Sequence, residues 1–397
     1  LKKYFLGVFT LQKNEIQGLN GIRAIAFFML IYVHTYRPYK YFGFLDENPL
    51  LANFLNNGSL CMDAFFMLSG FLIGGQLISE FNKNGFIRYK NFFIKRVFRI
   101  FPPYYIFITL QYILLLKIAS TSNDPKIVDS IQNLKSEVIW DYTYMTDYFR
   151  GTLVHGWSLS VEEKFYLLLP VLIFFFRYIH SKSAQIFIFL GLSLVPILFR
   201  SYSYFSIGVE KIDHDLYNQF FYYPFHSRMD SLFWGVFLAS IYNYYPQWIQ
   251  DYLKNRLSSV LVLGSTIGLL GIAVFSNENE PGYFTTVLKF FIVSILWSTI
   301  LLKCLDTDSF TSKFLSLRAF VPVAKLSYAA YIIHLVFLGI LTKKYLGYEK
   351  IYHYEILLWT IPIGINILIF AYFYYLLTEK PFMLLRERLL RGKGPQN

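Results

Sequence analysis

Apolar runs of nearly 20 residues recur along the whole chain, and their length restricts what it can fold into. They lie at roughly 20–39, 59–79, 98–118, 161–180, 184–200, 229–245, 257–275, 285–304, 326–346 and 355–377. A helix of about 20 residues crosses about 30 Å of hydrocarbon, whereas a water-soluble helix of that length keeps a polar face. Composition points the same way. Of 397 residues, 55% are hydrophobic and only 16% charged, against roughly 25% charged in soluble domains. The expectation is an all-α, polytopic integral membrane protein with about ten transmembrane helices. It is organised as a single membrane domain over 1–397 (core about 15–385), with no soluble catalytic domain. Two of the expected spans, 184–200 and 229–245, are short or interrupted by Pro196, and the third opens on Phe101-Pro102-Pro103, prolines that a first helical turn tolerates.

The net charge of +12 would suggest nucleic acid in a soluble chain. Here it reads as the excess of Lys and Arg that marks cytoplasmic loops, and no zinc knuckle or basic reading helix points to a nucleic-acid partner. Lys83, Arg88, Lys90, Lys95, Arg96 and Arg99 crowd one loop, which is expected inside. An even number of spans then places both termini inside, together with Arg386, Arg388, Arg391 and Lys393, and puts Asn277-Glu278-Asn279-Glu280 outside. Two long outer loops follow, about 119–160 and 201–228; Phe220-Phe221-Tyr222-Tyr223 in the second reads as an aromatic belt or as a platform for a sugar or lipid acceptor. Cys61 and Cys304 fall near opposite faces and cannot build a disulfide framework. The first run carries Arg23 and lacks a small-residue cleavage site, so it is not expected to be a leader, and the initial Leu suggests a start further upstream or at a non-Met codon.

A charge at the centre of a spanning helix costs roughly 2.5–3.5 kcal/mol, so such residues are candidates for function. Arg23 and His34 are the first pair. Eleven helical steps make three turns plus about 20° and a rise of about 16 Å, so both lie on one face at different depths. Asp63 begins the next span at the depth of His34. A carboxylate there would fix the tautomer of the imidazole and raise its basicity, or it would cap the helix or pair with an arginine. Arg96 and Arg99, three apart, share a face that suits a phosphate, or simply anchor the inner surface. Glu162 and Glu163 follow Trp157-Ser158-Leu159 at the outer start of the fourth span, where acids also favour a helix N-terminus. Arg228 and Asp230 stand at the outer start of the sixth span, and His334 is mid-span, where a packed, hydrogen-bonded histidine is the plain alternative. No metal set appears, because no histidines stand four apart beside a carboxylate.

Taken in order, these residues resemble acyltransferase family 3, the membrane-bound O-acyltransferases that acetylate bacterial surface glycans. The resemblance runs from Arg23 with ten residues before His34, through Asp63 and Ser69-Gly70-Phe71, Arg96-x-x-Arg99 and Trp157-Ser158-Leu159 with Glu162-Glu163. It continues to Arg228-x-Asp230, Ser327-Tyr328 with His334, and Glu379-Lys380-Pro381-Phe382. It implies acetyl-CoA or a similar acyl-CoA as donor, no metal, and transfer to a carbohydrate or lipid-linked glycan hydroxyl across a bacterial cytoplasmic membrane. His34 would be the essential catalytic residue, oriented by Asp63 or Glu163. Arg23, Arg96 and Arg99 would serve the donor, with Arg23 also a candidate oxyanion partner. Glu162, Arg228, Asp230, Trp157 and His334 would line the acceptor side. The competing class is a proton-coupled transporter of a small anion or sugar, which intramembrane His, Asp and Arg also suit; binding or hydrolysis of acyl-CoA separates the two.

Overall fold

The computed structural model describes residues 2–391 except 12–14, 42, 44, 46–47, 278–281 and 348–349. The expected acidic stretch 278–280 and Lys393 therefore lie outside the described residues. Each expected span is met by a helix. In chain order the longer helices, of which α4 and α12 match no expected span, are α1 Gly18–Tyr41, α2 Cys61–Asn84, α3 Tyr89–Thr121, α4 Pro125–Tyr142, α5 Gly156–Phe174, α6 Lys182–Ile207, α7 Phe225–Tyr244, α8 Arg256–Phe275, α9 Lys289–Lys303, α10 Phe320–Tyr345, α11 His353–Tyr374 and α12 Lys380–Arg391. Among the described residues there is no strand, only an isolated bridge between Leu45 and Ile351. Also among the described residues, eight helical stretches are long and apolar enough to cross a membrane, with α2 extended back to Pro49 and α11 running on to Leu390. The chain is a multi-pass integral membrane protein. The two expected spans outside those eight are α5, with Glu162, Glu163 and Lys164 in one turn, and α7, with Arg228 and Asp230.

Helix ends follow local chemistry. Ser181 accepts from Ala184 N at 3.3 Å to start α6, and Asn255 accepts from Leu257 N at 2.9 Å to start α8. Gly85, at φ +74°, ends α2 in the left-handed region that glycine reaches without a Cβ penalty. Three expectations need correction. Helix α3 starts at Tyr89, so Pro102 and Pro103 fall in its interior; Tyr328 Oη donates to Ile100 O at 2.8 Å and Tyr374 Oη to Pro103 O, which ties α10 and α11 to this stretch. Helix α5 starts at Gly156, which sinks Glu162 and Glu163 nearly two turns into it. The two long loops expected outside are partly helical: α4 occupies the first, and α6 runs on to Ile207 in the second.

Helices α2 and α7 form the tightest crossing. A Cβ on Gly70 would lie 1.9 Å from Leu232 O, and one on Gly235 would lie 2.3 Å from Met67 O, so the two backbones touch. Helix α8 is at the other extreme: Val260, Leu263, Ile267 and Leu270 are exposed along it, an apolar face suited to lipid. The segment between α4 and α5 is pinned by Asp141, whose carboxylate accepts from Thr152 N at 2.7 Å, Thr152 Oγ1 at 2.8 Å and Leu153 N at 3.3 Å. Burial raises this carboxyl above its ordinary range, and those bonds oppose the rise.

Candidate active site

Helix α1 carries two functional side chains on one face, and two cavities are stacked along it. Arg23 lines a large cavity of about 570 Å³ together with Arg96, Arg99, Glu162 and Glu163. His34 lines a small one of about 40 Å³ with Arg37, His155, Trp157 and Tyr223. Met62 and Tyr331 line both, so they form the partition between them. Cys61 belongs to the small cavity, and Cys304 lies at Gly18 near the other end of α1; both thiols are free.

In the large cavity the charges are arranged unequally. Glu162 accepts from Ser69 Oγ at 2.6 Å and from Tyr166 Oη at 2.9 Å, so its carboxylate is fixed. Glu163 has a buried oxygen, and Arg96 a buried Nε, with no hydrogen-bond partner. The Arg96 guanidinium lies 5.4 Å from the centre of the Tyr166 ring, within range of a cation–π contact. Arg99 is half-exposed and reaches Glu379 at 3.8 Å, tying α3 to the C-terminal end of the bundle. Three guanidinium groups facing one cavity make a site for an anion large enough to meet them all.

In the small cavity His34 is surrounded by aromatic rings, imidazoles and one guanidinium, that of Arg37. The His34 and His334 ring centres are 5.0 Å apart, and those of His155 and His334 are 4.7 Å apart. Tyr331 Oη donates to His155 O at 3.0 Å and is bonded to Ser158 Oγ, which braces the partition against the start of α5.

The structure brings His34 together with Trp157 and His334, and Arg23 with Arg96, Arg99, Glu162 and Glu163. It places five expected site residues elsewhere: Glu162, expected on the acceptor side, lines the large cavity with the arginines, and the others are Asp63, Glu163, Arg228 and Asp230. Asp63 accepts from Arg228 Nη2 at 3.0 Å and from Ser231 Oγ at 2.8 Å, the arginine pairing left open by the sequence, and it makes no bond to His34. Glu163 faces the large cavity, because eight helical steps carry it about 12 Å deeper than His155. Arg228 and Asp230, expected at the acceptor, are fully buried and line neither cavity. Asp230 pairs with Arg200 at 2.9 Å, and the Arg228 guanidinium lies 3.8 Å over the Phe290 ring. His155, Arg37 and Tyr331 were missed. The signal for Arg37 was its place three residues after His34, and for Tyr331 its place three before His334, each on a shared helix face.

A bundle of apolar helices with a basic cavity stacked on a histidine cluster describes a membrane protein whose site lies inside its spanning helices. The chain belongs to the acyltransferase domain family, whose model matches residues 16–379. A putative O-acetyltransferase of Staphylococcus aureus strain COL is 28% identical over 387 residues, covering 92% of this chain and 57% of that protein. The O-acetyltransferase OatA of Staphylococcus aureus strain NCTC 8325 is 28% identical over 365 residues, covering 86% of this chain and 54% of its own length. The chain thus spans little more than half the length of these relatives. No solved structure matches it.

Proposed function

We propose that the chain is a membrane O-acetyltransferase that carries an acetyl group from cytoplasmic acetyl-CoA to a hydroxyl of an extracytoplasmic carbohydrate or lipid-linked glycan, in a bacterial cytoplasmic membrane. The observation that carries this reading is the stacking of two unlike cavities along α1, basic at Arg23 and imidazole-lined at His34. The phosphates of CoA are anionic and match Arg23, Arg96 and Arg99. Its pantetheine arm is long and thin and suits passage at the Met62–Tyr331 partition. Arg23 lies about 16 Å along the helix from His34, so its part is to hold the donor and not the oxyanion.

His34 is the general base in this reading. It takes the proton of the acceptor hydroxyl as the oxygen attacks the thioester carbonyl. A carbon–oxygen bond forms, the carbon–sulfur bond breaks, and the proton passes to the departing CoA thiolate. Trp157 and Tyr223 line the small cavity with His34, which has room for the reacting hydroxyl and not for the sugar ring that carries it. Replacing His34 by Ala is expected to abolish base-labile acetate on the cell surface while the amount of protein in the membrane stays unchanged. Wild-type acetate in cells carrying only that variant would sink the assignment.

A further inference from the structure

We infer that His334 is the positioning residue for His34, and that a neutral imidazole does the work for which a carboxylate was expected. This rests on the reading of His34 as the base. His334 Nδ1 lies 2.6 Å from Tyr331 O. A carbonyl oxygen only accepts, so Nδ1 carries the hydrogen and Nε2 holds a lone pair. His155 Nε2 lies 3.1 Å from Ile332 O, which fixes the opposite tautomer and leaves the lone pair on Nδ1. Both lone-pair nitrogens are buried without a hydrogen-bond partner, in residues 0% and 2% exposed. A buried acceptor left unpaired costs about 1–3 kcal/mol. Two such acceptors side by side, on rings 4.7 Å apart, call for a donor.

His34 is that donor. It is the half-buried ring of the three, and its centre is 5.0 Å from that of His334. A neutral imidazole has one N–H. Turned to His334 Nε2, it fixes the His34 tautomer and aims the other nitrogen, with its lone pair, away from His334 for a hydroxyl. Hydrogen bonds of this kind are commonly long before substrate binds and close on binding. The titratable and charged groups beside His34 are His334, whose ring is 5.0 Å away, and Arg37 and His155 in the same cavity, and among the described residues no carboxylate lines it. Asp63 is turned to Arg228 instead. When His34 takes up the hydroxyl proton, its second N–H remains on His334 Nε2, so the imidazolium keeps a partner without a buried ion pair.

The test uses the full chain in lipid nanodiscs with ¹⁵N-labelled histidine. The His34 ring signals are assigned by their loss in His34→Gln. In the wild type, His34 is expected as a single tautomer with one hydrogen-bonded N–H; an even mixture of tautomers overturns the proposal without any variant. His334→Leu removes the acceptor and is expected to give mixed His34 tautomers and at least tenfold less surface acetate at equal membrane abundance. His334→Gln restores an acceptor oxygen and is expected to recover a single tautomer and much of the acetate. An unchanged His34 spectrum in His334→Leu, or acetate within twofold of wild type, refutes the positioning role. The nitrogen spectra do not depend on acyl transfer, so an active His34→Ala variant would remove the reading of His34 as the base by a separate result.

Discussion

Asp63 and Arg228 are both almost wholly buried, bonded at 3.0 Å, with Ser231 Oγ a second donor to the same carboxylate at 2.8 Å. Removing one member of a buried pair strands the other, at a cost of about 3–5 kcal/mol, whereas replacing both with neutral groups often costs little. Asp63→Asn is therefore expected to lower the thermal midpoint of the detergent-solubilised protein, and Asp63→Asn with Arg228→Gln to recover part of the loss. The outcome separates two roles. If Asp63 served His34, the single variant would keep its midpoint and lose transfer, and changing Arg228 would restore nothing. This residue also shows why the site was only partly legible. Sequence depth placed Asp63 level with His34, which is sound for a hairpin, but depth does not say which way a side chain turns about its helix. The partner was Arg228, 165 positions away, and spacing along one chain does not report such pairs. Within a single helix the reading had more purchase: one face of α1 does present Arg23 and His34 to two stacked cavities.

At the scale of the elements, the Gly70–Gly235 crossing of α2 and α7 sets how close the helices stand. A methyl group at Gly70 would meet a backbone oxygen at 1.9 Å, which no side-chain rotation relieves. Gly70→Ala is expected to destabilise by at least the 1–3 kcal/mol typical of overpacking, read as a loss of folded protein in membranes, while Gly264→Ala on α8, with nothing near its Cβ, is expected to be neutral. Equal yields of the two would mean that the crossing is looser than described. The elements were the most legible part of the chain, since a run of apolar residues near 20 long has few alternatives to a spanning helix. The errors fell where helices carry charge. Tyr89–Phe101 and Gly156–Ser160 were read as loop or loop edge because Lys, Arg, Ser and Gly interrupt the apolar signal. In α3 two of those charges, Arg96 and Arg99, face a cavity inside the protein and not lipid. Hydropathy measures distance from oil, and a helix that lines a polar cavity is close to neither solvent.

For the whole molecule, the arrangement that matters is the partition. Met62 and Tyr331 stand between about 570 Å³ at the basic end and about 40 Å³ at His34, and the smaller space holds a few waters but not a sugar ring. Tyr331 is bonded to Ser158 and to His155 O, so it is fixed, whereas Met62 is an unbranched side chain that shifts at low cost. On the proposed reaction, donor binding and acceptor chemistry are separable by changing Met62 alone. Met62→Trp fills the passage, and it is expected to leave acetyl-CoA binding within a fewfold of wild type while lowering transfer at least tenfold. Met62→Ala widens the passage and is expected to raise hydrolysis of acetyl-CoA by admitting water to the thioester, read as CoA thiol released without acceptor. Arg96→Gln should do the reverse of Met62→Trp, weakening donor binding, and more so at low salt where the lost charge counts most. Normal transfer by Met62→Trp would place the acyl route elsewhere in the bundle, and it would leave the two cavities with separate purposes.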